Sequence, residues 1–196
     1  MTNNALTVTD QLKKTTQRSS LDELVAARTK RSLLLVDCSG SMADIIVDRR
    51  EGGFTSGVRK IDKLRKVVAE LKQTHNVPMA AFGVHGSGVE LVELIPEPSG
   101  LTPLHKAIDF GRIQEANHLV VVTDGEPDSE PAALEAARQF GGTIDVFFIG
   151  NDGSRGAMFC NRLAKQTGGS CGVTDLTGEP KKLAAGIAGL LGEGGL

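Results

Sequence analysis

The stretch "LLLVDCSGSM", Leu33 to Met42, joins an unbroken apolar run to three small oxygen-bearing residues at alternate positions, Asp37, Ser39 and Ser41. A continuous apolar run that ends in turn-forming residues fits a central strand buried on both faces, and such strands belong to parallel sheets covered by helices. The flanking sequence should then alternate strand and helix. From residue 31 onward it does. "SLLLVD", "HLVVVTD", "TIDVFFIG" and "SCGVTDL" read as strands. "MAAFGV" and "VELVEL" flank His85-Gly-Ser-Gly88, whose glycines suit a tight reversal, so this pair is expected to form an antiparallel hairpin.

"VRKIDKLRKVVAELKQ" sets Val58, Ile61, Leu64, Val68 and Leu71 at helical spacing, which predicts a helix whose lysines and arginines form a solvated face. "EPAALEAARQF" predicts a second, with Pro131 in its first turn. A third is expected over about Arg155 to Thr167, stopped by Gly168-Gly169, and a last through "KKLAAGIAGLL". The expected organisation is an α/β domain over residues 31–191. A polar arm, residues 1–30, precedes it, with a short helix opened by the capping box Ser20-Leu-Asp-Glu23. A flexible tail, residues 192–196, follows. One connection is long: Ala43 to Ser56, between the first strand and its helix, against a usual ~2 to 6 residues.

The formal net charge of -2 argues against the broad basic surface that duplex nucleic acid or anionic membrane selects. A nucleic-acid reading would rest on the basic cluster Lys13, Lys14, Arg18, Arg28, Lys30 and Arg31 alone. Three cysteines, Cys38, Cys160 and Cys171, form neither a CxxC pair nor an even-numbered disulfide framework, which favours a reducing, cytoplasmic setting. The N-terminus carries no secretory apolar segment, and the longest apolar runs fall far below the ~20 residues that span a bilayer. A soluble protein is expected.

In open α/β sheets, ligands sit beyond the carboxyl ends of the strands. Asp37, Ser39 and Ser41 leave the first strand there, Thr102 sits in "SGLTPL" ahead of a helix, and Asp124 ends "VVVTDG". All five offer oxygen and none offers the nitrogen or sulfur of a typical zinc or copper site, so the set suits Mg²⁺ or Mn²⁺ with waters completing an octahedron. Neutral hydroxyls donate little charge, which leaves such an ion able to attract an outside carboxylate. Taken singly, each motif has a plainer reading as a turn or a helix cap. Together the three meet at one sheet edge.

D-x-S-x-S at Asp37 to Ser41, G-x-T-P-L at Gly100 to Leu104 and T-D-G at Thr123 to Gly125, in that order, resemble a von Willebrand factor A domain with a complete metal-ion-dependent adhesion site. The resemblance covers roughly residues 31 to 191. It implies a Rossmann-like sheet of six strands, ordered 3-2-1-4-5-6 with strand 3 antiparallel and helices on both faces. It also implies that Ser39 and Ser41 bind the ion directly, that Thr102, Asp37 and Asp124 bind directly or through water, and that a partner's acidic residue fills the open position.

Function is then expected to be metal-dependent protein binding rather than catalysis. There is no P-loop and no second acidic cluster. A phosphatase with Asp37 as nucleophile is disfavoured, because Ser39 stands where a second aspartate would be. Ile45, Ile46, Val47 and Phe54 of the long connection offer apolar partner contacts with Arg49 and Arg50 at the rim, or else fold back over the protein's own helix. Intracellular relatives of the resembled family work beside AAA-type ATPases, chelatases and other assembly machines, which suggests an adaptor. A structural component of a larger particle, such as a phage virion or secretion apparatus, is the second class. The four histidines are scattered, with His105 one turn after Thr102. Cys38 is expected to point away from its metal-binding neighbours.

Overall fold

A computed structural model describes residues 30–49 and 55–192. The chain divides into two units at Lys30/Arg31, and the elements below belong to the second. They are strands β1 (Ser32–Asp37), β2 (Ile45–Arg49), β3 (Thr55–Arg59), β4 (Met79–Val84), β5 (Gly88–Leu91), β6 (His118–Thr123), β7 (Thr143–Ile149) and β8 (Cys171–Thr174). The helices are α1 (Lys60–Lys72), α2 (Leu104–Ile113), α3 (Glu130–Phe140), α4 (Arg155–Gln166) and α5 (Pro180–Leu191), with a 3₁₀ turn over Gly40–Ala43.

Six strands form one sheet in the order β5-β4-β1-β6-β7-β8. Only β5 runs antiparallel, against β4. Counted within this sheet alone, that is the expected order 3-2-1-4-5-6 with the third strand reversed. The apolar runs are continuous because both faces are covered. Leu34, Val36 and Cys38 join the core beneath α1 and α5, whereas Leu33 and Leu35 join the core beneath α2, α3 and α4. The apolar residues of β1, β4, β6 and β7 therefore remove apolar surface from water on both faces, at about 1.5 to 3 kcal/mol for each fully buried Leu or Val. Ser129 caps α3, its hydroxyl accepting the Ala132 N–H at 3.3 Å, and Pro131 occupies the first turn as expected.

Three details differ from the sequence-based expectation. The Ala43 to Ser56 connection is largely an antiparallel ribbon, β2 against β3, in which Ile46 faces Val58 and Ile45 faces Arg59. Val58 therefore belongs to β3, and α1 starts only at Lys60; an apolar residue at helical spacing was equally able to pair across a ribbon. The second strand of the β4/β5 hairpin ends at Leu91, and Leu94 is 85% exposed. Beyond it the chain is held by α1, because Arg65 donates to the carbonyls of Ile95 and Pro96 and Lys72 to that of Glu93. The cationic side of α1 is thus partly a fastening rather than a solvated face. The capping box at Ser20 and the tail from residue 193 lie outside the described residues.

At the amino ends of the strands, His118 joins β1, β6 and β7. Its Nδ1 meets the Ser32 hydroxyl at 2.8 Å and its Nε2 meets Asp145 Oδ2 at 2.8 Å, while Asp145 Oδ1 accepts the Ser170 N–H at 2.7 Å. His118 is 2% exposed, so this Ser-His-Asp contact is a satisfied polar clamp closed to substrate.

Candidate metal centre

β1 and β6 lie in parallel with Val36 beside Val122, so the residues that follow them leave the sheet together. The chain from β1 goes to the face covered by α1, and that from β6 to the face covered by α3. Opposite departures of this kind open a crevice at the sheet's carboxyl edge.

Asp37 ends β1 and is fully buried. Its Oδ1 accepts the Ser39 N–H at 2.8 Å, and its Oδ2 accepts the Thr123 hydroxyl at 2.5 Å. Burial pushes its carboxyl up to about 6; the Thr123 and Ser39 bonds oppose the rise and the Asp124 charge adds to it. Met42, also fully buried, anchors the 3₁₀ turn in the core, and the Ser39 and Ser41 hydroxyls meet at 3.1 Å. Ser41 Oγ donates to Asp124 Oδ1 at 2.7 Å, while Asp124 Oδ2 accepts the Lys60 ammonium at 2.6 Å. For Lys60, burial favours the neutral amine, but the bond and charge of Asp124 outweigh it and hold the group above its ordinary value.

Thr102 arrives on a loop laced to both neighbours. Gly40 N–H donates to Gly100 O at 2.9 Å, Ser99 N–H to Cys38 O at 3.0 Å, and Leu101 N–H to Gly86 O at 2.7 Å. The approach is so close that a Cβ on Gly100 would stand 2.1 Å from Gly83 O. Gly83 has φ +80°, and a Cβ there would stand 2.5 Å from Leu101 O. Thr102 N–H then donates to Asp128 Oδ1 at 2.9 Å, and Asp128 N–H to Thr102 O at 3.0 Å, which ties the loop to the chain after β6. Thr102 Oγ1 and Ser41 Oγ lie 3.6 and 3.8 Å from the point a Cβ on Gly125 would take, so both hydroxyls border the same small space.

The donor set fits a small hard cation. Oxygens bound at ~2.1 Å on adjacent vertices of an octahedron lie about 3.0 Å apart, and the two serine oxygens are already 3.1 Å apart. No group of three or more His, Cys, Asp or Glu stands together among the described residues, so an ion held here would take most of its protein ligands from hydroxyls. That composition suits Mg²⁺ or Mn²⁺ far better than a softer metal.

The five residues singled out from sequence therefore meet: Asp37, Ser39, Ser41 and Asp124 through a chain of hydrogen bonds, and Thr102 across Gly125. Cys38 turns the other way into the core, where burial pushes its thiol up to about 12. His105 has Nδ1 buried with no hydrogen-bond partner among the described residues. Of the residues named as partner contacts, Ile45 is 63% exposed, Ile46 packs partly buried against the core beneath α1, and Arg49 pairs with Thr55 in the ribbon. Arg50 and Phe54 lie outside the described residues. Sequence reasoning missed Thr123, Asp128 and Lys60. Lys60 carried a signal: a lysine as the first residue of a helix opposes the helix dipole, so something specific had to hold it.

No protein-family model matches this sequence, and no curated protein matches it. Among solved structures, the chain is similar to von Willebrand factor type A from Catenulispora acidiphila, at 16% identity and a TM-score of 0.55. The match covers 83% of this chain and 42% of that one, so this chain spans less than half of that structure's length. It is similar also to the SpRpn10 VWA domain, at 12% identity and a TM-score of 0.56, over 85% of this chain and 98% of that one. Together with the strand order, these likenesses establish the von Willebrand factor A fold for the chain. No helix among the described residues is long and apolar enough to cross a membrane.

Proposed function

We propose that this chain is a divalent-cation-dependent protein-binding module, in which an ion held by Asp37, Ser39, Ser41, Thr102 and Asp124 takes an Asp or Glu side chain from a partner protein. The observation that carries this reading is the 3.1 Å approach of the Ser39 and Ser41 hydroxyls beside two buried carboxylates at the sheet's switch point. Ser39 and Ser41 are direct ligands, and Thr102, Asp37 and Asp124 bind directly or through water. A bound Mg²⁺ or Mn²⁺ supplies a concentrated positive charge with an open position for a carboxylate oxygen. The remaining work belongs to the chain. Asp37 aims the turn by taking the Ser39 N–H, Thr123 holds Asp37 in place, and Asp124 orients the Ser41 hydroxyl.

The β2/β3 ribbon follows directly from the ligand turn, and its exposed Ile45 contributes to the rim that meets the partner; Arg49, Arg50 and Phe54, from the same connection in the sequence, are proposed as further partner contacts. An AAA-type ATPase or a multi-protein assembly is the partner class, in a cytoplasmic setting, and the module itself is not an enzyme. Calorimetric titration of Mg²⁺ and Mn²⁺, with and without an acidic peptide, tests the reading on the native chain and on Asp37→Ala. Binding by the native chain that Asp37→Ala abolishes is expected. Absence of binding by the native chain even with the peptide present would refute metal-dependent adhesion.

A further inference from the structure

Lys60 is placed where local propensity argues against it. It is the first residue of α1, where the unpaired N–H groups already carry partial positive charge. Its backbone N–H donates to Asp44 O at 3.0 Å, which fixes its Cα beside the ligand turn, and its ammonium reaches three acceptors. The buried Asp124 Oδ2 is 2.6 Å away, whereas Ser41 O and the Asp44 Oδ2 are each 3.4 Å away. The two carboxylates are unlike. The Asp124 side chain is 0% exposed and that of Asp44 is 68% exposed, with Lys60 itself at 22%.

Asp124 thus has both oxygens occupied, one by Ser41 and one by an ammonium. A divalent ion entering beside Ser41 meets a positive charge already spending the attraction of a carboxylate it needs. Asp44, at the protein surface and already within reach, is a second acceptor for that ammonium.

We propose that Lys60 is a tethered counter-ion of the metal site. It neutralises Asp124 when no divalent ion is held, and it transfers to Asp44 when one binds. The inference rests on the metal-binding reading above, and makes Lys60 and Asp44 the residues that set its affinity threshold. The buried Asp124 then never stands uncompensated, at the cost of weaker divalent binding. A partner's carboxylate helps to repay that cost, which couples metal retention to partner engagement.

The test compares the native chain with Lys60→Met, Lys60→Arg, Asp44→Asn and the Lys60→Met/Asp44→Asn double variant. Mg²⁺ affinity is measured by calorimetry, and thermal stability is measured in EDTA and in excess Mg²⁺. Lys60→Met is expected to bind Mg²⁺ about tenfold more tightly while melting at a lower temperature in EDTA, so that the two readouts move in opposite directions. Lys60→Arg keeps the charge and should stay near the native affinity. Asp44→Asn should weaken binding about threefold, and much less in the Lys60→Met background, because the acceptor matters only while the lysine needs somewhere to go.

Native or weaker Mg²⁺ affinity in Lys60→Met overturns the counter-ion role and leaves the metal site standing. Failure of both the native chain and Lys60→Met to bind Mg²⁺ or Mn²⁺ removes the metal reading itself, and this inference with it. Binding by Lys60→Met alone supports both. If Lys60→Met does not fold, the surface variant decides, and unchanged affinity in Asp44→Asn overturns the proposal.

Discussion

Asp37→Asn should stabilise the metal-free protein while abolishing its metal binding. The substitution keeps the side chain's shape and an oxygen to accept the Ser39 N–H, but removes a charge from a wholly buried position. The carboxyl stands at about 6 in the folded chain against an ordinary value of 3.8, with burial the main cause. The folded state therefore holds this proton more tightly than the unfolded state, and stability falls as pH rises through that window. At about 1.4 kcal/mol per tenfold difference in proton affinity, ionised Asp37 costs the fold about 3 kcal/mol once the pH is above its folded value. Asn cannot reproduce everything. Its amide must donate to Thr123, reversing a bond in which Thr123 is now the donor, at a cost of about 1 kcal/mol. The net expectation near pH 8 in EDTA is a gain of about 2 kcal/mol, which shrinks to nothing or reverses near pH 4, where Asp37 is protonated in the folded state and about half protonated in the unfolded state. Urea unfolding of the two proteins at both pH values measures it, and the difference between them cancels the other carboxylates. An Asn variant less stable than the native chain near pH 8, or a difference that does not change with pH, would refute the claim that Asp37 is held ionised at a cost in stability.

Three further outcomes follow from the geometry. Gly100→Ala should destabilise the fold by about 2 to 4 kcal/mol and lower Mg²⁺ affinity together, since its Cβ cannot coexist with Gly83 O and the displaced loop carries Thr102; loss of stability with unchanged affinity would show that Thr102 is not a ligand. Leu35→Ala, in the middle of β1 and fully buried, should cost about 3 kcal/mol in urea unfolding without changing Mg²⁺ affinity once folded, because it faces the core beneath α2 to α4 and not the ligand turn. Ile45→Ser should leave both stability and metal affinity within about 0.5 kcal/mol of native while weakening partner capture, and equal capture of the partner would remove the ribbon from the interface.

What was legible in the sequence, and what was not, follows from where the information resides. The sheet showed itself because strands buried on both faces must be continuously apolar, and Leu33 to Val36, Leu119 to Val122 and Val146 to Ile149 are. The meeting of Asp37, Ser39, Ser41, Thr102 and Asp124 showed itself because the chain order of three polar motifs places them at strand exits that the fold brings together. The β2/β3 ribbon did not, since Val58 sits one turn before Ile61 and satisfies a helical pattern as well as a strand pair. Thr123 and Asp128 were hidden because a threonine at a strand end and an aspartate in a turn have ordinary local explanations; only the tertiary pairing gives them Asp37 and Thr102 as partners. Lys60 was read with the other cations of α1 as solvated, although its place at the helix N-terminus is electrostatically the least favourable on that helix.

The central claim is that a divalent ion sits among Ser39, Ser41, Thr102 and Asp124. Titrating Mn²⁺ into isotope-labelled protein and following paramagnetic broadening of the backbone amide signals locates it directly. The amides of Ser39, Ser41, Thr102 and Gly125 should broaden first, while His118 and Ser170 at the opposite end of the sheet stay sharp. Broadening that begins instead around surface carboxylates such as Glu135, or Asp152 and Asp175, would contradict the site.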